Sequence, residues 1–298
     1  MIPRELIRKI RRIQIVTSRR ADESFVGQYR SVFRGRGMEF DEVREYAWGD
    51  DVRSIDWNVT ARTSVPHIKR FNEERELTVF LLVDVSGSQR FGSALQLKSE
   101  VAAEVAATLA FSAIKNRDKV GALFFTDRVE KVLPPGAGSS HVLRVVREIL
   151  YFEPEGHGTD VSGALRYLGR ILKRRAIVFL VSDFLGSGLG ERDLVGPLRQ
   201  AARRHDVVAI RIRDPRERSL PRAGLVRMRD AETGAESIFD LGSRRARERY
   251  ERAAEARDRA FETTLARAGV DLISLATDTP YELPLGRFFR ERARRIHA

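Results

Sequence analysis

The sequence predicts an α/β fold with a doubly wound, mostly parallel sheet. Three observations predict it. Apolar runs of strand length recur at 77–83, 118–125, 176–181, 207–212 and 270–275, rich in β-branched and aromatic residues as buried strands are. Helix-periodic stretches separate most of them, as in 94–116, where Leu97, Val101, Val105 and Leu109 recur every fourth residue. Two of the runs end in small oxygen-bearing residues, Asp84-Val85-Ser86-Gly87-Ser88 and Ser182-Asp183, where open α/β sheets bind ligands.

Taken in order, residues 3–20 carry Leu6, Ile7, Ile10 and Ile13 at helical spacing among basic residues. They read as an amphipathic helix packed on its own domain. Residues 21–75 are irregular. Asp50 or Ser54 is placed to cap a short helix, and Pro66 to Phe71 is extended. After the strand at 77–83 and the helix at 94–116 comes the strand at 118–125. Residues 128–133 pair with it as a hairpin, which Pro134-Pro135-Gly136 stops. Ser139 or Ser140 caps a helix reaching Tyr151. A Gly-rich loop, Glu155-Gly156-His157-Gly158-Thr159-Asp160, leads into a helix at 161–173. Residues 191–204 are helical. Residues 225–228 and 237–239 flank Glu232-Thr233-Gly234 as a β-hairpin insertion. A long helix at 243–268 has Tyr250, Ala254, Phe261 and Leu265 inside and Gly269 as its stop. A last helix spans 283–296. The expected domains are residues 1–75, a helix and irregular segment packed on the main domain, and 76–298, the main domain.

Composition narrows the function. The chain of 298 residues contains no cysteine, which excludes disulfides, zinc–thiolate sites and cysteine nucleophiles. No signal-peptide core or bilayer-length apolar run is visible, so a cytoplasmic protein is expected. The net charge of +12 raises nucleic acid or an anionic membrane as partners. Only 7 of the 54 basic residues are lysine, and the arginines are scattered beside acids, which suits solvated helix faces better.

Parallel strands in one sheet bring Asp84 and Asp183 to neighbouring strand ends, and the glycines at 156 and 158 free the Thr159 loop to fold over them. Asp84, Ser86, Ser88, Thr159 and Asp183 then form a set of two carboxylates and three hydroxyls. Hard oxygen donors suit Mg²⁺, with Mn²⁺ or Ca²⁺ as alternatives, better than zinc or copper. Such a set leaves an octahedral cation one or more positions for water or an incoming carboxylate.

This arrangement resembles the metal-ion-dependent adhesion site of von Willebrand factor A domains, in which Asp-x-Ser-x-Ser, a loop Thr and a later strand-end Asp hold the cation. Upstream, Tyr29-x-Ser31-x-Phe33-x-Gly35-x-Gly37-x-Glu39-Phe40, Arg44-x-Tyr46, Gly49-Asp50-Asp51-x-Arg53-x-Ile55-Asp56-Trp57 and Ala61-Arg62 resemble the signature of a bacterial family. That family is domain-of-unknown-function family fifty-eight, often encoded beside MoxR-type AAA+ ATPases. The resemblance implies an accessory protein that grips an Asp or Glu of a partner, a MoxR-type ATPase or its client, through the cation.

Two other functions compete. A strand ending in Asp84 suggests a phosphoester hydrolase of the haloacid-dehalogenase kind, but Ser86 stands where the second acid belongs. There is no P-loop motif, and His67, His141, His157, His205 and His297 form no ligand pair. The expectation is therefore a protein without catalysis. The second alternative is a basic surface that binds nucleic acid or anionic membrane.

Overall fold

The computed structural model describes residues 27, 29, 32, 33, 39–72, 76–94, 96–186 and 191–297. The expected helix at 3–20 lies outside them. Phe33–Leu77 form one compact unit, and the rest of the described chain forms another.

In the smaller unit β1 (Glu39–Glu45) pairs antiparallel with β2 (His67–Asn72), with a register shift between Phe40 and Glu42. The acids between the strands satisfy backbone and arginine donors. Asp50 accepts both terminal nitrogens of Arg44, at 2.9 and 2.7 Å, and the Ala47 amide at 2.8 Å. Asp51, rather than Asp50 or Ser54, caps the one-turn helix Val52–Ser54. Asp56 caps α1 (Trp57–Thr63), accepting from the Asn58 and Val59 amides. These caps occupy donors that helix starts leave free. Trp48 and Trp57 stay exposed.

The larger unit alternates as expected. Its elements are β3 (Thr78–Asp84), α2 (Lys98–Lys115), β4 (Lys119–Phe125), β5 (Val129–Gly136), α3 (Ser139–Tyr151), α4 (Val161–Ile171) and β6 (Ile177–Ser182). Then follow α5 (Glu191–Arg204), β7 (Asp206–Arg213), β8 (Leu225–Arg229), β9 (Glu236–Asp240), α6 (Arg244–Ala268), β10 (Asp271–Ala276) and α7 (Glu282–His297). Six strands make one sheet in the order β10-β7-β6-β3-β4-β5, and β5 alone runs antiparallel to its neighbour. β8 and β9 form a separate two-stranded hairpin.

β3 lies between β4 and β6, and every residue from Val79 to Val83 is completely buried. Alternate side chains serve the two faces. Phe80 and Leu82 join one core with Val161, Leu165 and Leu168 of α4, Leu194 and Leu198 of α5, and Leu265 of α6. α2 is buried along most of its length, with alanines at 102, 103, 106, 107, 110 and 113, because small side chains let a helix lie close to its neighbours.

Two local expectations change. Pro134 and Pro135 lie within β5 instead of ending it. β5 is an edge strand, where a missing N–H breaks no ladder. The start of α3 is capped by Gly138 at φ 88°, with no side-chain cap from Ser139 or Ser140.

Gly121 in β4 faces the Phe80 ring so closely that a Cβ there would come within 2.6 Å of a ring carbon. Gly121→Val is expected to cost about 1–3 kcal/mol in urea unfolding through overpacking, and Phe80→Leu in the same chain should recover part of that loss. Equal destabilisation in both backgrounds would refute the contact.

His205, after α5, is buried, and neither ring nitrogen has a hydrogen-bond partner among the described residues. Burial, reinforced by Arg204 and Arg175, holds its pKa below the usual 6.5. Folding thus disfavours the protonated ring. The contribution to stability is full above about 6.5, the unfolded value, and falls as pH drops toward the lower folded value. His205→Phe should flatten that acid-side decline in unfolding curves recorded from pH 7.5 to 5.

Candidate metal centre

The sheet order makes a switch point at β3 and β6. From β3 the chain crosses to β4 on one side, and from β6 it crosses to β7 on the other. Such divergence opens a crevice at the carboxyl ends of the two strands. The register pairs Val83 with Val181, so Asp84 and Ser182 emerge side by side. The Ser182 hydroxyl donates to one Asp84 oxygen at 2.6 Å, and the Ser86 amide donates to the other at 2.9 Å.

Asp84, Ser86, Ser88, Thr159 and Asp183 are all buried. The turn after β3 sets the Ser86 and Ser88 hydroxyl oxygens 3.1 Å apart. The Gly87 amide reaches the His157 carbonyl at 3.4 Å, and the Asp160 amide reaches the Thr126 carbonyl at 2.7 Å. These bonds tie the Thr159 loop to the ends of β3 and β4. Asp160 also caps α4 through the Gly163 amide. Beyond β6 the backbone turns sharply, with Phe184 at φ 55°, and the Leu185 amide donates to Asp183 at 3.0 Å.

The electrostatics are unbalanced. Burial first, and the Asp183 carboxylate second, push the Asp84 carboxyl up to about 7. Lys98, at the start of α2, donates to Asp183 at 2.5 Å and also to Glu217. Burial opposes the charge on Lys98, but Asp183 and Glu217 overcome it and hold its pKa above the ordinary lysine value. Burial raises Glu217 despite its pairing with Lys98. Glu232, from the β8–β9 turn, accepts the Thr159 hydroxyl at 3.0 Å. Burial and Asp183 raise its pKa as well. Four carboxylates thus converge here, and Lys98 supplies one positive charge to them.

Among the described residues no three His, Asp or Glu side chains form a metal cage. A cation here would depend on the hydroxyls together with Asp84 and Asp183. The donors fit one: they are oxygen throughout, and a divalent ion would relieve the negative charge. Each carboxylate oxygen already accepts one hydrogen bond and has a second lone pair.

Residues 42–260 match the family model described as "Protein of unknown function DUF58". The chain belongs to this family. The uncharacterized protein Rv1480 of Mycobacterium tuberculosis is 34% identical over 292 residues, covering 97% of this chain and 90% of that protein. An aerotolerance-related membrane protein from Bacteroides fragilis has a similar structure, with TM-score 0.50, 14% identity, and coverage of 74% of this chain and 99% of that one. The SpRpn10 VWA domain aligns with TM-score 0.41 and 11% identity, over 71% of this chain and 94% of that domain. The structural likeness concerns fold alone, and the mostly parallel α/β sheet is the one expected. Among the described residues no helix is long and apolar enough to cross a membrane.

Within this family member, three charged residues at the site escaped the sequence reading: Lys98, Glu217 and Glu232. The rarity of lysine did not single Lys98 out, because Lys115, Lys119 and Lys173 are exposed on the surface. Glu217 and Glu232 reach the site from remote loops and left no local pattern.

Replacing Lys98 by Met would leave Asp183 and Glu217 without their cation. A loss of about 3–5 kcal/mol is expected in urea unfolding, the usual cost of breaking a buried ion pair from one side. Saturating Mg²⁺ should narrow the gap to the wild type if the ion shares these carboxylates. A gap unchanged by Mg²⁺ would argue that they do not take up the cation.

Proposed function

We propose that the chain is a non-enzymatic protein-interaction module whose site binds a divalent cation, Mg²⁺ before Mn²⁺ or Ca²⁺, and clamps an acidic side chain of a partner protein. Asp84, Ser86, Ser88, Thr159 and Asp183 would hold the ion. When bound, the ion supplies a point of positive charge that binds an external carboxylate. The observation that carries this reading is the excess of buried carboxylate at the β3–β6 switch point, surrounded by hydroxyl oxygens. Such an arrangement is costly unless a cation offsets it.

This chain's own residues do the positioning. Ser182 and the Ser86 amide fix the Asp84 carboxylate, and Lys98 and the Leu185 amide fix that of Asp183. Little of the binding energy is then lost to ordering these groups. The partner is proposed to be a MoxR-type AAA+ ATPase or its client. That choice rests on the family resemblance, whereas the acidic character of the contact rests on the site. Ser86, where a dehalogenase-type enzyme needs its second acid, supports a clamp over a hydrolase.

Asp84→Ala removes the central carboxylate. Mn²⁺ titration followed by electron paramagnetic resonance should show saturable binding to the wild type and a loss of at least about tenfold in the variant, equivalent to about 1.4 kcal/mol. Pull-downs from lysate should lose the same partner with EDTA as with Asp84→Ala. Partner retention under both treatments would sink the clamp.

A further inference from the structure

The β8–β9 hairpin does nothing for the core. Leu225 and Ile238 are 77% and 72% exposed, and every residue of β9 is exposed. Two strands without a covering layer are marginal in water. The turn at the tip is nevertheless well defined. Asp230 accepts the Glu232 amide at 2.9 Å and the Thr233 amide at 2.7 Å, and Gly234 takes φ 71°.

That tip is seated on the candidate metal centre. Glu232 accepts from Thr159 at 3.0 Å and lies in the field of Asp183. The Ala231 carbonyl rests directly over Gly87, so closely that a Cβ on Gly87 would overlap it. Gly87 belongs to the turn that presents Ser86 and Ser88, so the tip touches both loops that carry the three hydroxyls. A free carboxylate beside Thr159 is what the clamp would take from a partner.

We infer that Glu232 is a built-in occupant of the acid-accepting position, and that a partner's acid gains the site only by displacing the β8–β9 hairpin tip. The inference rests on the proposed metal clamp and adds its regulation. The seated hairpin lowers affinity for external acids by the fraction of molecules in which the tip has lifted. Because the strands bury little, lifting the tip costs mainly the Thr159–Glu232 bond and the contact over Gly87. The hairpin therefore sets a threshold without disturbing the sheet.

The test uses the full chain loaded with Mn²⁺ and N-acetyl-glutamate amide as the carboxylate probe, with binding read by water-proton relaxation. If the tip is lifted in about a tenth of wild-type molecules, Glu232→Gln should bind the probe about tenfold more tightly. Glu232→Ala should agree with it, and Glu236→Gln, on the same hairpin, should match the wild type. Circular dichroism verifies that each variant folds. In the wild type, saturating probe should speed amide exchange across 225–240. If Mn²⁺ binds throughout but Glu232→Gln and the wild type hold the probe equally, the hairpin is no competitor and only the clamp survives. If the wild type and Glu232→Gln both fail to bind Mn²⁺, the clamp falls and this inference falls with it.

Discussion

The structure depends on two carboxylates, Asp84 and Asp183, buried at adjoining strand ends in the middle of a hydrophobic sheet. Neither is placed there by a local preference for acid. Both follow from runs of Val, Leu, Ile and Phe that can be satisfied only by full burial, which carries the strand ends inward with them. The cost appears in Asp84, pushed to about 7 by its surroundings. Everything nearby offsets that cost in part. Ser182 and the Ser86 amide donate to one acid, Lys98 and the Leu185 amide to the other. Because Lys98 also serves Glu217, the compensation stops short, and the crevice retains a demand for positive charge.

The parts of this arrangement that come from local periodicity were legible in the sequence. The change from apolar run to small polar residues places the strand ends at 83 and 181, one residue short of the observed Asp84 and Ser182, and the parallel order follows from intervening helices. The convergence of the Thr159 loop also followed, since the glycines beside it leave it free to fold over. The edge position of β5 was not legible, because sequence alone does not say which strand has only one neighbour; Pro134 and Pro135 therefore read as a stop. The charges of Glu217 and Glu232 were invisible for a related reason. A residue on a polar loop looks solvated until the fold shows where the loop lands.

The acids of the smaller unit show the opposite outcome. The acids from Asp50 to Asp56, mixed with arginine, read on sequence as loop salt bridges more readily than as a second functional surface. In the fold Asp50 holds Arg44 and closes a turn, while Asp51 and Asp56 start helical turns. The donors to these acids come from the same unit. Acidity therefore means different things in the two units. In one it completes turns and helix caps and pairs with arginine, and in the other it gathers around Asp84 and Asp183 beyond the one lysine that faces it.

That contrast bears on how the chain discriminates among partners. A net charge of +12 draws acidic surfaces of any kind, and such attraction is long-ranged and screened by salt. It brings partners close without choosing among them. Choice needs a buried contact at which a wrong group leaves polar atoms unpaired. The crevice between β3 and β6 meets that requirement. Glu232, seated as proposed, would sharpen it, because an incoming acid would have to bind better than one already tethered to the chain. A tethered competitor has a high effective concentration, so weak, diffuse attraction to the basic surface is insufficient to open the site. In the proposed clamp, long-range attraction would gather acidic proteins, and the hairpin would decide which of them reach the site.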